Sequence, residues 1–254
     1  MVGDPEWFAR LLVQRVPYLR SLATESATKA ELADELDVSR STVDRAVRDL
    51  ESANAVERRE GGVALTLVGR LALTAYDDFY ADLLALTDCA ALTDLDVEAP
   101  ITIDTLRGAD VVDAPSNAPH RPVSTLVDFI EDAVHVSLYS SMVLPTVLDT
   151  LVQRIDEGLT VDAYLDGDAL DALLSDYAAI LPDVLETGRI RLAETTADYC
   201  FDFALIDRLG GEQVAVVACG GSGIDSLLVN DTADALEWAR TRLDAVAADA
   251  TPLN

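Results

Sequence analysis

The chain has 254 residues, half of them apolar, enough for one large core or two ordinary ones and too many for an intrinsically disordered chain. Its 46 acidic residues face 18 basic ones, for a formal net charge of -28. That balance speaks against a nucleic-acid partner unless the cations are segregated and the salt is high.

Both conditions are expected here. Lys29 stands beside 17 arginines, and so acidic a chain with so little lysine looks like a protein of a salt-in halophilic archaeon, whose carboxylates keep the fold hydrated in multimolar salt. At about 1 M salt the Debye length is about 3 Å, so charge repulsion is screened beyond direct contact. A division at Leu86 leaves 10 basic and 15 acidic residues before it, against 8 and 31 after it. Contact with a polyanion is therefore to be sought in the first third. No apolar run reaches the roughly 18 residues of a membrane span, and the acids in residues 1–6 do not suit a signal peptide, so a cytoplasmic location and no membrane partner are expected.

Helices are predicted over 7–24, 29–36, 39–53 and 67–86. Between the last two, β-like runs at 56–59 and 63–66 flank Glu60-Gly61-Gly62, a hairpin signal. This order reads as a winged helix-turn-helix DNA-binding domain over 1–86. Thr28-Lys29-Ala30-Glu31 is a capping-box pattern, and Ser39 is an N-cap for the third helix. Val43, Val47 and Leu50 follow core spacing, which leaves Ser41, Arg45 and Arg48 on another face.

Arg40, Ser41 and Thr42 fall in the first turn, where recognition helices meet base edges and phosphates, and Arg45 and Arg48 suit bidentate contacts to guanine or phosphate. Of Arg58 and Arg59, before the wing tip, one is expected to reach a phosphate or minor groove while the other pairs with an acid. The predicted contacts to double-stranded DNA are thus Ser39, Arg40, Ser41, Thr42, Arg45, Arg48, Arg58 and Arg59. In the fourth helix Leu71, Ala75, Phe79, Leu83 and Leu86 form a stripe for the first helix, the second domain or a second subunit; a homodimer would double the base contacts.

The segments Lys29-Ala30-Glu31-Leu32-Ala33-Asp34-Glu35-Leu36, Val38-Ser39-Arg40-Ser41-Thr42-Val43 and Leu65-Thr66-Leu67-Val68-Gly69-Arg70 resemble the winged-helix region of archaeal regulators. Prolines 100, 115, 119 and 122 mark 87–122 as a linker or irregular segment, a loosely decorated strand region being the alternative. Over 123–254, strands are predicted at 134–139, 159–165, 189–193, 201–206, 213–218 and 224–229, with helices at 144–156, 169–178 and 233–248. The fold class is therefore α+β or α/β, a winged helix followed by an α/β regulatory domain.

The stretches 129–139 and 158–165, with Leu144-Pro145 and Ala235-Leu236-Glu237-Trp238-Ala239, resemble the effector domains of haloarchaeal regulators related to TrmB and to the methanogen filamentation regulator. The resemblance implies a sequence-specific transcription regulator linked to carbon metabolism, with a phospholipase D-like second domain lacking that fold's catalytic residues. With two histidines, His120 and His135, and its lysine in the first domain, the chain cannot supply the paired His and Lys of that chemistry. Gly220-Gly221-Ser222-Gly223-Ile224 misses the nucleophile elbow and reads as a tight turn, so no enzyme and no cofactor are expected.

Cys89, Cys200 and Cys219 show no paired spacing, so neither disulfides nor a metal site is expected, only small buried residues. A small-molecule effector would find His120, Tyr139, Ser140, Ser141, Tyr164 and Asp166 at loops and strand ends. The alternative for these is ordinary packing, with Ser141 and Asp168 as helix caps. A second function class also stands: a protein-interaction adaptor whose winged helix does not read DNA.

Overall fold

Short polar side chains set the first helix starts. The computed structural model describes residues 4–88, 98–220 and 223–253. Helix α1 (Pro5–Ser21) opens on Asp4, whose carboxylate accepts from the amides of Glu6 and Trp7 at 3.0 and 3.3 Å. Helix α2 (Lys29–Glu35) opens on the expected capping box, with Glu31 Oε2 accepting from the Thr28 amide at 2.7 Å. The chain then turns through Asp37 in the left-handed region, φ 50°, and α3 (Arg40–Ser52) opens on Ser39.

Strands β1 (Val56–Arg59) and β2 (Gly62–Leu65) pair antiparallel, and the closing pair Arg59↔Gly62 leaves Glu60-Gly61 as the loop. Ala27, just before α2, pairs with Val63 on the other side of β2 through two hydrogen bonds of 3.0 and 2.8 Å. Gly62 is required there: a Cβ would lie 2.3 Å from the Ala27 carbonyl oxygen. Helix α4 (Leu67–Asp88) starts where Thr66 Oγ1 donates to Asn54 O and accepts from the Gly69 amide. Leu19, Leu32, Val43, Val47, Leu50 and Val63 fill the core of this unit.

The predicted stripe of α4 has the right period but lies on the solvent side. Leu71, Phe79, Leu83 and Leu86 are 60%, 54%, 41% and 51% exposed, while Ala72 and Leu73 are buried. Contact density divides the chain into residues 1–83 and 84–254.

In the second unit, helix α5 (Ile103–Leu106), strand β3 (Asp110–Asp113) and helix α6 (Arg121–Glu131) precede strand β4 (Ala133–Ser140). Then follow α7 (Pro145–Glu157), β5 (Thr160–Leu165), α8 (Gly167–Asp176), α9 (Leu181–Glu186), β6 (Ile190–Glu194), β7 (Asp202–Arg208), β8 (Gly211–Gly220), β9 (Gly223–Asn230), α10 (Ala233–Asp249) and β10 (Thr251–Pro252). The sheet order is β10-β6-β5-β4-β7-β8-β9-β3, with β4, β5 and β6 parallel and the other pairings antiparallel.

Parallel neighbours need long crossovers, and α7 and the α8–α9 pair supply them. Helices α6 to α9 cover one face, with Ile130, Ile155 and Leu173 in its core; α5 and α10 cover the other, around Phe201, Phe203 and Trp238. This is the mixed α/β architecture expected after the helical first third.

One expectation is decided between its alternatives and one is corrected. Of the two readings of 87–122, the strand region holds for its described part: β3 forms a sheet edge against β9, and the Asn230 amide nitrogen donates to the carbonyls of Thr105 and Arg107 at 2.8 and 3.0 Å. These are long-range contacts, which local periodicity does not carry. Cys200 is exposed rather than buried, while Cys89 and the Cys219 side chain lie outside the described residues. The glycine-rich turn is bracketed by the pair Gly220↔Gly223, its two central residues lying outside the described ones.

Candidate nucleic-acid interface

Helix α3 buries Val43, Ala46, Val47 and Leu50. At 100° per residue, the face opposite that stripe is Ser41, Arg45, Arg48 and Ser52, all exposed. Arg40 is exposed in the first turn, where Ser39 Oγ lies 2.8 Å from both Ser41 Oγ and Thr42 Oγ1 and accepts from the Thr42 amide at 3.2 Å. Ser39 and Thr42 are therefore partly committed to the helix cap.

The three carboxylates of α3 are each engaged by a cation from another element. Asp44 pairs with Lys29 of α2, Asp49 with Arg15 of α1 at 2.9 Å, and Glu51 with Arg58 of β1 at 2.7 Å. The Lys29 ammonium holds the Asp44 carboxyl below its ordinary value, and the Arg58 guanidinium does the same for Glu51. Among the described residues, Arg40, Arg45 and Arg48 have no hydrogen-bonded or ion-paired carboxylate. The helix thus presents three uncommitted guanidinium groups while its own acids are neutralised from behind.

The wing differs from expectation. Both of its arginines are paired, Arg58 with Glu51 and Arg59 with Glu57 through Nε at 2.7 Å, whereas one was expected to remain for DNA. The cause lies in strand and fold geometry: β1 runs beside the end of α3, and Glu57 and Arg59 project from the same side of β1. Sequence reasoning also missed Arg15 and Lys29. Their roles rest on helix packing, although Lys29 and Asp44 are visible as a charge pair bracketing the helix-turn-helix.

The residues expected to meet a small molecule are divided by strand alternation. Tyr139 and Tyr164 are paired neighbours in the β4–β5 ladder and lie against the α10 face, where the buried Tyr139 hydroxyl donates to Ala197 O at 3.1 Å. Burial pushes the Tyr139 phenol up to about 12. Ser140 points to the opposite face, where its hydroxyl meets Asp202 and Met142 O. Ser141 donates to Asp202 Oδ1 through its amide and its hydroxyl, both at 2.8 Å.

Asp166 is spent as the N-cap of α8, accepting from the Ala169 amide at 2.8 Å, and His120 is exposed at the N-cap of α6. The expected caps are displaced: Asp166 rather than Asp168 caps α8, and Leu144 rather than Ser141 precedes α7.

Asp202 was not singled out. It is 6% exposed, and burial raises its carboxyl above the ordinary value against the lowering effect of the Ser140 and Ser141 donors. A lone acid within Phe201-Asp202-Phe203-Ala204-Leu205-Ile206 was the available signal. Among the described residues, no group of three or more His, Cys, Asp or Glu side chains could hold a metal ion, and no helix is long and apolar enough to cross a membrane.

Residues 119–249, just over half of the chain, match the family described as methanogenesis regulatory protein FilR1, middle domain, and residues 7–86 match the one described as HVO_A0261 N-terminal domain. No curated protein matches the chain. Among solved structures it is similar to TrmBL2, an archaeal chromatin protein described as showing a novel mode of DNA binding, at 14% identity and a TM-score of 0.45 over 98% of this chain and 100% of that one. It is also similar to the phospholipase D family member Nuc from Salmonella typhimurium, at 12% identity and a TM-score of 0.46 over 58% of this chain and 98% of that one. A third, NucT from Helicobacter pylori, aligns at 10% identity and a TM-score of 0.43 over 57% of this chain and 98% of that one.

Proposed function

The chain belongs to the family of the FilR1 middle domain, a domain of a regulatory protein, and from that premise we propose that it is a transcription regulator that reads double-stranded DNA through α3. The observation that carries the reading is the set of three uncommitted arginines on a helix whose every carboxylate is held by a cation from elsewhere. Arg45 and Arg48 lie opposite the buried stripe and reach base edges or phosphates when α3 enters a major groove. Ser41, and Arg40 with the partly committed Ser39 and Thr42, meet the backbone at the first turn. Arg58 and Arg59 act secondarily, because each must exchange a carboxylate for a phosphate.

The organism in this reading is a halophilic archaeon, and the protein works in a cytosol of multimolar salt. There the net charge of the second unit is screened and short-range guanidinium contacts decide affinity. The exposed stripe Leu71, Phe79, Leu83 and Leu86 joins two copies into a homodimer, so that two α3 helices address paired half-sites. The second unit tunes that placement on binding a small molecule, and the control of carbon metabolism is the physiological setting. Catalysis has no part in the reading.

The experiment is binding of genomic fragments in multimolar KCl by the natural chain and by an Arg45→Ala, Arg48→Ala double variant. Selective retention of particular fragments by the natural chain, lost in the variant, is expected. Equal and sequence-indifferent binding by both overturns the reading and favours a protein-docking module.

A further inference from the structure

The second unit holds a cavity of about 130 Å³ on the face of the sheet covered by α7, α8 and α9. Its walls include Val136, Val161 and Ala163 from the parallel strands and Leu148, Leu173 and Leu181 from the helices. Tyr177 and Leu181 beside it are partly buried, and Ile180 is 38% exposed, so the chamber meets solvent between α7 and the α8–α9 segment. No lysine, arginine or histidine lines it; apart from tyrosines, its polar lining is Ser140 and Asp202 at the carboxyl end of β4.

Packed interiors leave few voids larger than a water molecule, and a void with apolar walls gives water no partners. A cavity of about 150 Å³ walled by Leu, Ile and Phe takes benzene or xenon, so this one suits a molecule of about six to eight non-hydrogen atoms. The lining also excludes other chemistries. A phosphate or carboxylate would be buried without a cation, and a sugar would leave most of its hydroxyls unpaired.

The polar end is satisfied within the chain: the Ser140 hydroxyl lies within reach of Met142 O at 2.8 Å and of Asp202, whose other oxygen accepts from the Ser141 amide and hydroxyl at 2.8 Å. Burial raises the Asp202 carboxyl, so a full charge at this end of the chamber is disfavoured.

We propose that this cavity is a binding site for a small, uncharged, apolar molecule, aromatic or branched aliphatic, seated between the parallel strands and α7–α9. The proposal gives a chemical class to the effector of the reading above and rests on that reading for its regulatory role alone. It also moves the site away from the polar strand-end residues His120, Tyr164 and Asp166.

The test is calorimetric melting of the full chain in multimolar KCl with toluene as the probe. A saturable rise of about 3 °C is expected at a tenfold excess over Kd. Ala163→Leu and Val147→Phe each fill the chamber and are expected to abolish the rise; two variants are used because either one alone could misfold. No rise in the natural chain, an undiminished rise in a folded filled variant, or a rise with glucose instead of toluene overturns the proposal.

Fragment binding measured on the same samples separates the two readings. Retained DNA binding without a toluene response removes the cavity proposal alone. A toluene response without DNA binding keeps the site and removes the regulator.

Discussion

Arg58 grips Glu51 through two hydrogen bonds, Nε to Oε1 at 2.7 Å and Nη2 to Oε2 at 3.1 Å, tying the first strand of the wing to the last turn of α3. The pair holds Glu51 below and Arg58 above their ordinary values, yet the Arg58 side chain is 65% exposed. It therefore adds little to stability. Its larger effect is to withhold a cation from the face proposed to meet DNA. Glu51→Gln is expected to leave the melting temperature within about 2 °C and to raise fragment affinity several-fold in gel-shift titration. Unchanged or weaker binding would show that Arg58 takes no part.

Gly62 is fixed by space rather than by flexibility alone. Any Cβ meets the Ala27 carbonyl oxygen at 2.3 Å and the Thr28 amide nitrogen at 2.9 Å, beside the two Ala27–Val63 hydrogen bonds that anchor the wing. Gly62→Ala is expected to cost about 2–3 kcal/mol, read as a lower urea midpoint. Gly61→Ala has open space around it but keeps a φ of +101°, so it should cost less. Equal losses in the two variants would contradict the close approach.

Asp202 sets a pH dependence whose sign follows from its raised carboxyl. A carboxyl whose folded-state pKa is raised contributes stability that is fully present below the unfolded pKa of about 3.9 and is lost as pH rises through the higher folded pKa. Asp202→Asn keeps an acceptor toward the Ser141 donors, carries no titrating carboxyl, and so removes that loss. Urea melts from acidic to neutral pH should show the natural chain losing up to about 1.4 kcal/mol per pH unit relative to the variant. A difference independent of pH is the contrary result.

The exposed leucines and phenylalanine of α4 predict self-association. Leu71→Glu with Phe79→Glu changes two side chains that are 60% and 54% exposed, so helix and unit should remain folded. Light scattering in multimolar KCl is expected to give a dimer mass for the natural chain and a monomer mass for the variant. A monomer for both rejects the helix as the dimer interface.

Elements whose causes are local were legible in the order of residues alone. Thr28 with Glu31, Ser39, and Glu60-Gly61 are short-range signals that fall at the helix starts and hairpin loop they predict, while Gly62, expected in the turn, opens β2. The spacing of Val43, Val47 and Leu50 likewise fixed which face of α3 is buried, and so which arginines are exposed. Apolar β-rich runs located β4 to β9 to within a few residues.

Features that depend on distant partners emerge only once the chain is folded. Arg15, Lys29 and Arg58 reach the acids of α3 from three other elements, at separations that periodicity does not register. The α4 stripe had the expected repeat, but a repeat does not say which of two apolar faces finds a neighbour. Tyr139 and Ser140 are adjacent in sequence, yet the pleat sends them to opposite faces of the sheet, and Asp202 reaches Ser140 because β7 is laid antiparallel beside β4.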